Sequence, residues 1–82
     1  MDVKKSVLAI LDEVLGLNGR SASFDLGTPL LGSVPELDSM AVVAVITTLE
    51  ERFDFIIDDD EIDGSSFATV GTLVSFVEGK LG

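Results

Sequence analysis

The sequence contains no cysteine, histidine, tryptophan or tyrosine. These absences exclude a thiol nucleophile, a Ser-His-Asp triad, disulfide bonds and a zinc site built from Cys or His ligands. Paired carboxylates could still supply an acid and a base, but a chain of 82 residues offers little concave surface in which to desolvate them. The chain is therefore not expected to be an enzyme.

Basic residues are also scarce. The 5 Lys and Arg residues stand against 15 Asp and Glu, which gives a formal net charge of -10. A field of this sign repels nucleic acid and anionic membranes, and it favours partners with basic surfaces. The acids are unevenly placed, since the run from Asp58 to Asp63 is dense in them, whereas Asp38 is the only acid between positions 38 and 48.

Long apolar runs are missing as well. The first apolar stretch is interrupted by Asp12 and Glu13 and has no small-residue cleavage site, so neither a signal peptide nor a membrane span is expected. The hydrophobic content of 46% is enough for one core. We expect a single domain over residues 1–82, monomeric and cytoplasmic.

Two segments show a helical repeat. The first has Asp2 as a possible N-cap and Gly16 as a possible stop, and its apolar positions recur every three or four residues: Val3, Val7, Ile10, Leu11 and Val14. The last helix has Thr69 as its N-cap and carries a similar repeat: Val70, Leu73, Val74, Val77 and Leu81. Both segments are predicted to be α-helices.

The stretch from Leu17 to Leu37 is rich in glycine and proline and predicts a long loop with room for a short helical turn. Its apolar residues are expected to anchor it over the core: Phe24, Leu26, Leu30, Leu31, Val34 and Leu37.

Residues 37 to 53 are ambiguous, because their many β-branched side chains favour a strand. The run has no turn signal for about fifteen residues and is too long for a typical strand, so a helix is favoured. The predicted fold class is all-α, a small bundle of three main helices with a short acidic third helix and a long loop between helices 1 and 2.

The acidic run has two interpretations. Asp59, Glu61, Asp63 and Gly64 fall at EF-hand loop positions, which would suggest calcium. Position 12 of that loop requires a bidentate Glu and holds Val70, so no metal site is predicted here. The favoured interpretation is a short acidic helical turn with Ile62 facing inward.

Ser39 is the residue with the clearest chemical potential. Asp38 can cap the second helix, which places Ser39 in its first turn, where unpaired amides and the helix dipole favour an attached anion. Ser39 is thus a plausible phosphate attachment point. Taken alone, however, an Asp-Ser pair before an apolar run is typical of an ordinary helix start.

Four stretches in order carry a family resemblance: ILDEVLGL, then Leu37-Asp38-Ser39-Met40, then LEERFDFIID, and finally FATVGTLVSFVEGKL. With these, the chain resembles the acyl carrier proteins, within the wider family of phosphopantetheine-carrying domains. The resemblance implies that a phosphopantetheinyl transferase attaches 4'-phosphopantetheine to Ser39. It also implies that ligases, transferases and synthases load and use a thioester on that arm, with Asp38, Met40, Val43 and Ile62 beside the arm or its partners.

The second helix departs from the common pattern of the family. Ala41 and Ala44 stand where many carriers of fatty-acid synthesis have acids, and Pro35-Glu36-Leu37 replaces a frequent Gly-x before Asp-Ser. A specialised lipid, polyketide, aminoacyl or surface-polymer pathway is therefore expected. The alternatives are a peptidyl or aminoacyl carrier of the non-ribosomal-peptide or D-alanyl type, and an unmodified helical interaction module.

Overall fold

Three α-helices form most of the computed structural model, which describes residues 2–30, 37–58 and 60–81. Helix α1 is Val3–Leu15, α2 is Ser39–Phe53 and α3 is Val70–Leu81. Two 3₁₀ turns lie between them, the first at Arg20–Ser23 and the second at Gly64–Phe67. The predicted all-α bundle with a long connection after the first helix is confirmed.

Helix α1 begins and ends at the predicted residues, and α2 and α3 begin directly after the predicted N-caps Asp38 and Thr69. The Asp2 carboxylate accepts a hydrogen bond from the backbone amide of Lys5 at 3.1 Å, and α1 stops at Gly16, whose φ of 64° is left-handed. Helix α2 stops at Asp54, where the backbone is also left-handed. The β-branched residues of α2 do not prevent the helix, because tertiary burial outweighs propensity differences of less than about 1 kcal/mol per residue.

The core lies between the three helices, and α1 packs against both α2 and α3. Fully buried side chains come from every helix and from the long connection: Val7, Ile10, Leu11, Leu30, Val45, Leu49, Val70, Leu73 and Val77. Within the described ranges, no helix has the length and apolar content that a bilayer-spanning segment needs.

The C-terminal ends of α1 and α2 lie together. Arg52 donates a hydrogen bond to the Glu13 carboxylate at 2.9 Å, and each residue belongs to the last turn of its helix. The first residue of α2 is therefore one helix length, about 20 Å, from that end of the bundle. The connection between α1 and α2 must return the chain over this distance, which explains why it is long.

The connection is tied to the start of α3 by backbone hydrogen bonds. The amide of Leu30 donates to the Ala68 carbonyl at 3.0 Å, and the amide of Gly71 donates to the Leu26 carbonyl at 2.7 Å. Among the predicted anchors, Leu30 and Leu37 are buried and Phe24 is partly buried, whereas Leu26 is half exposed. Leu31 and Val34 lie outside the described residues.

The acidic segment differs from the short helix that its composition suggested. The amide of Glu61 donates to the Asp58 carbonyl, which makes one turn, and the second 3₁₀ turn begins only after the acids. Asp63 is extended, and its carboxylate accepts hydrogen bonds from the amide and the hydroxyl of Ser65 at 2.9 and 2.5 Å. Asp63 caps the 3₁₀ turn and is therefore outside it. Ile62 faces inward as predicted and packs against the core.

Candidate functional site

The N-terminus of α2 is held by Asp38. This residue has extended backbone angles, and its Oδ1 atom accepts a hydrogen bond from the Ala41 amide at 2.8 Å. Its carbonyl accepts another from the Val42 amide at 2.9 Å. Asp38 is thus the predicted N-cap, and it fixes Ser39 as the first residue of the helix.

The Ser39 side chain is exposed, and its hydroxyl makes no hydrogen bond to any residue that the structure describes. The amides of Ser39 and Met40 likewise find no acceptor within residues 2–30, 37–58 and 60–81. An anion on Ser39 would therefore meet the positive end of the helix dipole and two amides that have no acceptor within the described ranges.

The electrostatic contribution of this helix end is modest. A helix terminus stabilises an adjacent exposed anion by about 0.3–1 kcal/mol, and the chain itself carries a formal charge of -10. The local geometry accommodates a phosphodiester at Ser39 but cannot drive its formation.

One face of α2 beside Ser39 is exposed and apolar. Met40 is 81% exposed and Val43 is 62% exposed, and Ala44 and Thr47 continue the exposed face toward the next turn. Two of the four predicted contact residues, Met40 and Val43, therefore lie together on this surface. Asp38 lies at its beginning.

The fourth predicted contact residue, Ile62, lies on another side of α2. It lines a cavity of about 170 Å³, and the other lining residues are Val42, Ile46, Asp63, Gly64 and Phe67. Val42 is one helical turn beyond Ser39, so the cavity and the Ser39 hydroxyl are neighbours along α2. The structure thus separates the exposed face, with Met40 and Val43, from the cavity, with Ile62.

Two carboxylates of the acidic segment, those of Glu61 and Asp63, are engaged in hydrogen bonds. Lys80 of α3 donates a hydrogen bond to Glu61 at 2.6 Å, and this contact is the main cause that lowers the pKa of Glu61. The hydroxyl of Ser65 is the main cause that lowers the pKa of Asp63. Among the described residues no group of acids is placed to hold a metal ion, and Asp59 lies outside them.

Sequence reasoning did not identify two residues near this site. Phe67 is buried in the core, and it also forms part of the cavity wall. Lys80 gave no signal, because its partner Glu61 is nineteen positions away across an irregular segment. A periodic pattern shows which face is apolar, but not where two faces leave space between them.

Comparisons with known proteins give matches to a family model and to a solved structure that each cover most of the chain. The family model described as "Phosphopantetheine attachment site" matches residues 5–77. The solution NMR structure of a holo acyl carrier protein from Nitrosomonas europaea is 53% identical, with a TM-score of 0.92, and the match covers 99% of this chain and 98% of that chain.

A curated acyl carrier protein from Exiguobacterium sp. is 41% identical over 44 residues, which is 54% of this chain and 53% of that relative. The chain thus aligns with about half the length of this relative. The match to the Nitrosomonas europaea structure, by contrast, extends over nearly the full chain.

Proposed function

The chain belongs to the acyl carrier proteins, whose prosthetic group is phosphopantetheine, and from this premise we propose that Ser39 bears a 4'-phosphopantetheine arm. The arm would carry an acyl or aminoacyl group as a thioester and present it to partner enzymes. The exposed Ser39 hydroxyl at a capped helix N-terminus is the observation that supports this proposal most strongly.

The residues around Ser39 fit such a group. When bound, the arm supplies a thiol, which the chain itself lacks because it has no cysteine. Asp38 fixes the first turn of α2, so Ser39 keeps a constant position and direction relative to the bundle. The amides of Ser39 and Met40, which have no acceptor among the described residues, point to a phosphodiester oxygen as their partner.

The exposed face of α2 is the proposed surface for partner enzymes. Met40 directly follows Ser39, so an enzyme that reaches the arm must also meet this side chain. Between Asp38 and Glu50 the helix has no acid, and Ala44 is exposed. Partners are therefore expected to present an apolar pocket to Met40 and Val43 instead of relying on Lys or Arg alone, which supports a specialised pathway over housekeeping fatty-acid synthesis.

The cavity beside Ser39 suits a small apolar cargo. Its volume of about 170 Å³ is below the roughly 300–1,000 Å³ of typical ligand pockets. Val42, Ile46, Ile62 and Phe67 give it an apolar lining. A short acyl group could enter without a large rearrangement, whereas a long chain would require the walls to separate.

The test is modification in cells. The chain is co-expressed with a broad-specificity phosphopantetheinyl transferase, and intact mass is measured for wild type, Ser39→Ala and Ser75→Ala. Ser75 is an exposed serine of α3 and serves as the matched control. We expect the phosphopantetheine increment in wild type and Ser75→Ala and its absence in Ser39→Ala, with the modified peptide containing Ser39.

An unmodified interaction module is the second candidate, and the exposure of Met40 and Val43 favours it. The same experiment separates the two functions. If wild type acquires no increment with any transferase, the carrier function is wrong and the apolar face becomes the main functional surface.

A further inference from the structure

We propose that Lys80 is a positioning residue for the cavity beside Ser39. Its ion pair with Glu61 holds Ile62 in place as the outer wall of that cavity, and so sets how readily an apolar group enters. The two sides of the cavity differ in construction. Val42 and Ile46 belong to the regular helix α2, whereas Ile62 belongs to the irregular segment before the second 3₁₀ turn.

The two residues that flank Ile62 are its anchors. On one side the carboxylate of Glu61 is joined to Lys80 of α3 at 2.6 Å. On the other side the carboxylate of Asp63 accepts hydrogen bonds from the amide and hydroxyl of Ser65. Ile62 packs against the core, and its neighbours' side chains hold it further. Among the described residues, the Lys80 contact is the ion pair that connects this segment to a main helix.

The backbone provides little additional support for this wall. Within the described part of the chain, the amide of Glu61 bonds to the Asp58 carbonyl, which belongs to the same segment. The Glu50 carboxylate accepts a hydrogen bond from the Ile57 amide at 2.8 Å, but this contact lies several residues upstream. Loss of the Lys80 contact would free residues 60–62, which lie between the Ile57–Glu50 contact and the Asp63–Ser65 contact.

The described residues form a second ion pair, between Arg52 and Glu13, which differs from the Lys80–Glu61 pair in exposure and in surroundings. The side chains of Lys80 and Glu61 are 24% and 33% exposed, whereas those of Arg52 and Glu13 are 47% and 65% exposed. A pair that is less exposed is less screened by water and salt. Arg52 and Glu13 join two regular helices that also pack through the core, so their contact has no loose segment to position.

The result would be a wall that opens by release of one ionic contact. An acyl group would pass between Ile62 and α2 when the Lys80 contact breaks, and would be retained when it forms. The acyl part of this inference rests on the function proposed above. The position of the wall does not, because it follows from the cavity lining and the ion pair, which are formed by the chain's own residues.

The test uses the full chain, and each substitution is also made together with Ser39→Ala so that the outcome does not depend on modification. Lys80→Met removes the ionic contact, and Arg52→Met is the control that removes one positive charge from the other pair. Two measurements are made by NMR: hydrogen exchange of the Glu61 amide, and xenon-induced shifts of the Val42, Ile46 and Ile62 methyl groups. Xenon is a suitable probe because it occupies small apolar cavities.

In Lys80→Met we expect the Glu61 amide to exchange about two- to fivefold faster. The apparent affinity for xenon should be weaker by a similar factor, because loss of an exposed ion pair has effects of about this size. The Ala41 amide, which bonds to Asp38, should be unchanged and so shows that the fold is intact. Arg52→Met should leave both measurements as in wild type. The double variant Glu61→Lys with Lys80→Glu should restore wild-type values.

Equal effects of Lys80→Met and Arg52→Met would overturn the proposal, as would unchanged xenon shifts in Lys80→Met. If Lys80→Met does not fold, Glu61→Met removes the other partner of the same contact and is judged by the same values. Since every measurement is repeated with Ser39→Ala, a failure here is distinct from a failure of the carrier function.

Discussion

The Oδ2 atom of Asp12 lies 2.7 Å from the hydroxyl oxygen of Ser21, and this hydrogen bond joins α1 to the first 3₁₀ turn. The same oxygen accepts hydrogen bonds from the amides of Gly19 and Ser21 at 3.0 and 3.4 Å. Donors around a carboxylate favour its ionised form, so the pKa of Asp12 is lowered, with the Ser21 hydroxyl as the largest cause. Asp12 thereby fixes the beginning of the long connection.

Asp12→Ala should lower the free energy of unfolding and speed hydrogen exchange of the Gly19 amide, because three donors lose their acceptor. Glu51→Ala removes an exposed carboxylate of α2 and is the control. Urea denaturation of both variants checks this expectation. Similar midpoints for the two variants would show that the Asp12 contacts do not stabilise the fold.

Stability should fall in acid more steeply for wild type than for Asp12→Ala. The pKa values of Asp12, Glu61 and Asp63 are lowered in the folded chain, so the unfolded chain binds protons first as the pH falls. Their contribution is complete above about pH 5 and is lost progressively below about pH 4. Acid also relieves repulsion within a chain of charge -10, so the decisive measurement is the difference between the two denaturation midpoints at pH 7 and in acid.

Asp38→Ala should destabilise the chain by about 0.5–2 kcal/mol, the usual cost of losing an N-cap. The Ala41 amide would lose its acceptor at 2.8 Å, and the first turn that contains Ser39 would fray. Asp38→Asn keeps a good capping side chain and should stay close to wild type. Urea denaturation measures stability, and transferase kinetics with each variant show whether the frayed turn is a poorer substrate.

Substitution by alanine is expected to change the stability in opposite directions at Gly71 and at Gly79, although both residues lie in α3. A Cβ at Gly71 would lie 2.7 Å from the Leu26 carbonyl oxygen, a backbone atom that cannot move easily, whereas a Cβ at Gly79 would meet no atom within 4 Å. Gly79→Ala should therefore stabilise the chain by about 1 kcal/mol through helix propensity. Gly71→Ala should destabilise it by about 1–3 kcal/mol, as overpacking does.

Binding to partner enzymes should depend weakly on salt, because charges at the rim of an interface govern salt sensitivity and α2 lacks them near Ser39. The double variant Ala44→Glu with Thr47→Glu places two acids on the exposed face. Its affinity for the transferase should fall more steeply with salt than that of wild type. The expectation fails if the two proteins show the same slope.

Local sequence signals predicted the helices well because each boundary depends on one nearby contact. Asp2, Asp38 and Thr69 cap the helices that follow them, and Gly16 ends α1. The β-branched residues of α2 favour a strand, but its hydrophobic repeat predicted a helix. The structure is helical for the same physical reason, because burial of one apolar face outweighs local propensity. The position of Ser39 followed from its cap.

The acidic segment and the cavity could not be predicted in this way. The second 3₁₀ turn begins after Asp63, whose carboxylate caps it through hydrogen bonds from the amide and hydroxyl of Ser65. The cavity depends on the distance between α2 and Ile62, which in turn depends on a contact with Lys80. Such relations join residues far apart in sequence and leave no periodic signal.

The backbone bonds between residues 26–30 and 68–71 also bear on the order of folding. They join positions about forty apart, so chain closure must precede them, whereas the Asp12 contacts to the first 3₁₀ turn are local. We expect the connection to dock on α3 late, after the transition state. Gly71→Ala should then raise the unfolding rate and leave the folding rate nearly unchanged in stopped-flow measurements, so the docked connection acts mainly to prolong the lifetime of the folded chain.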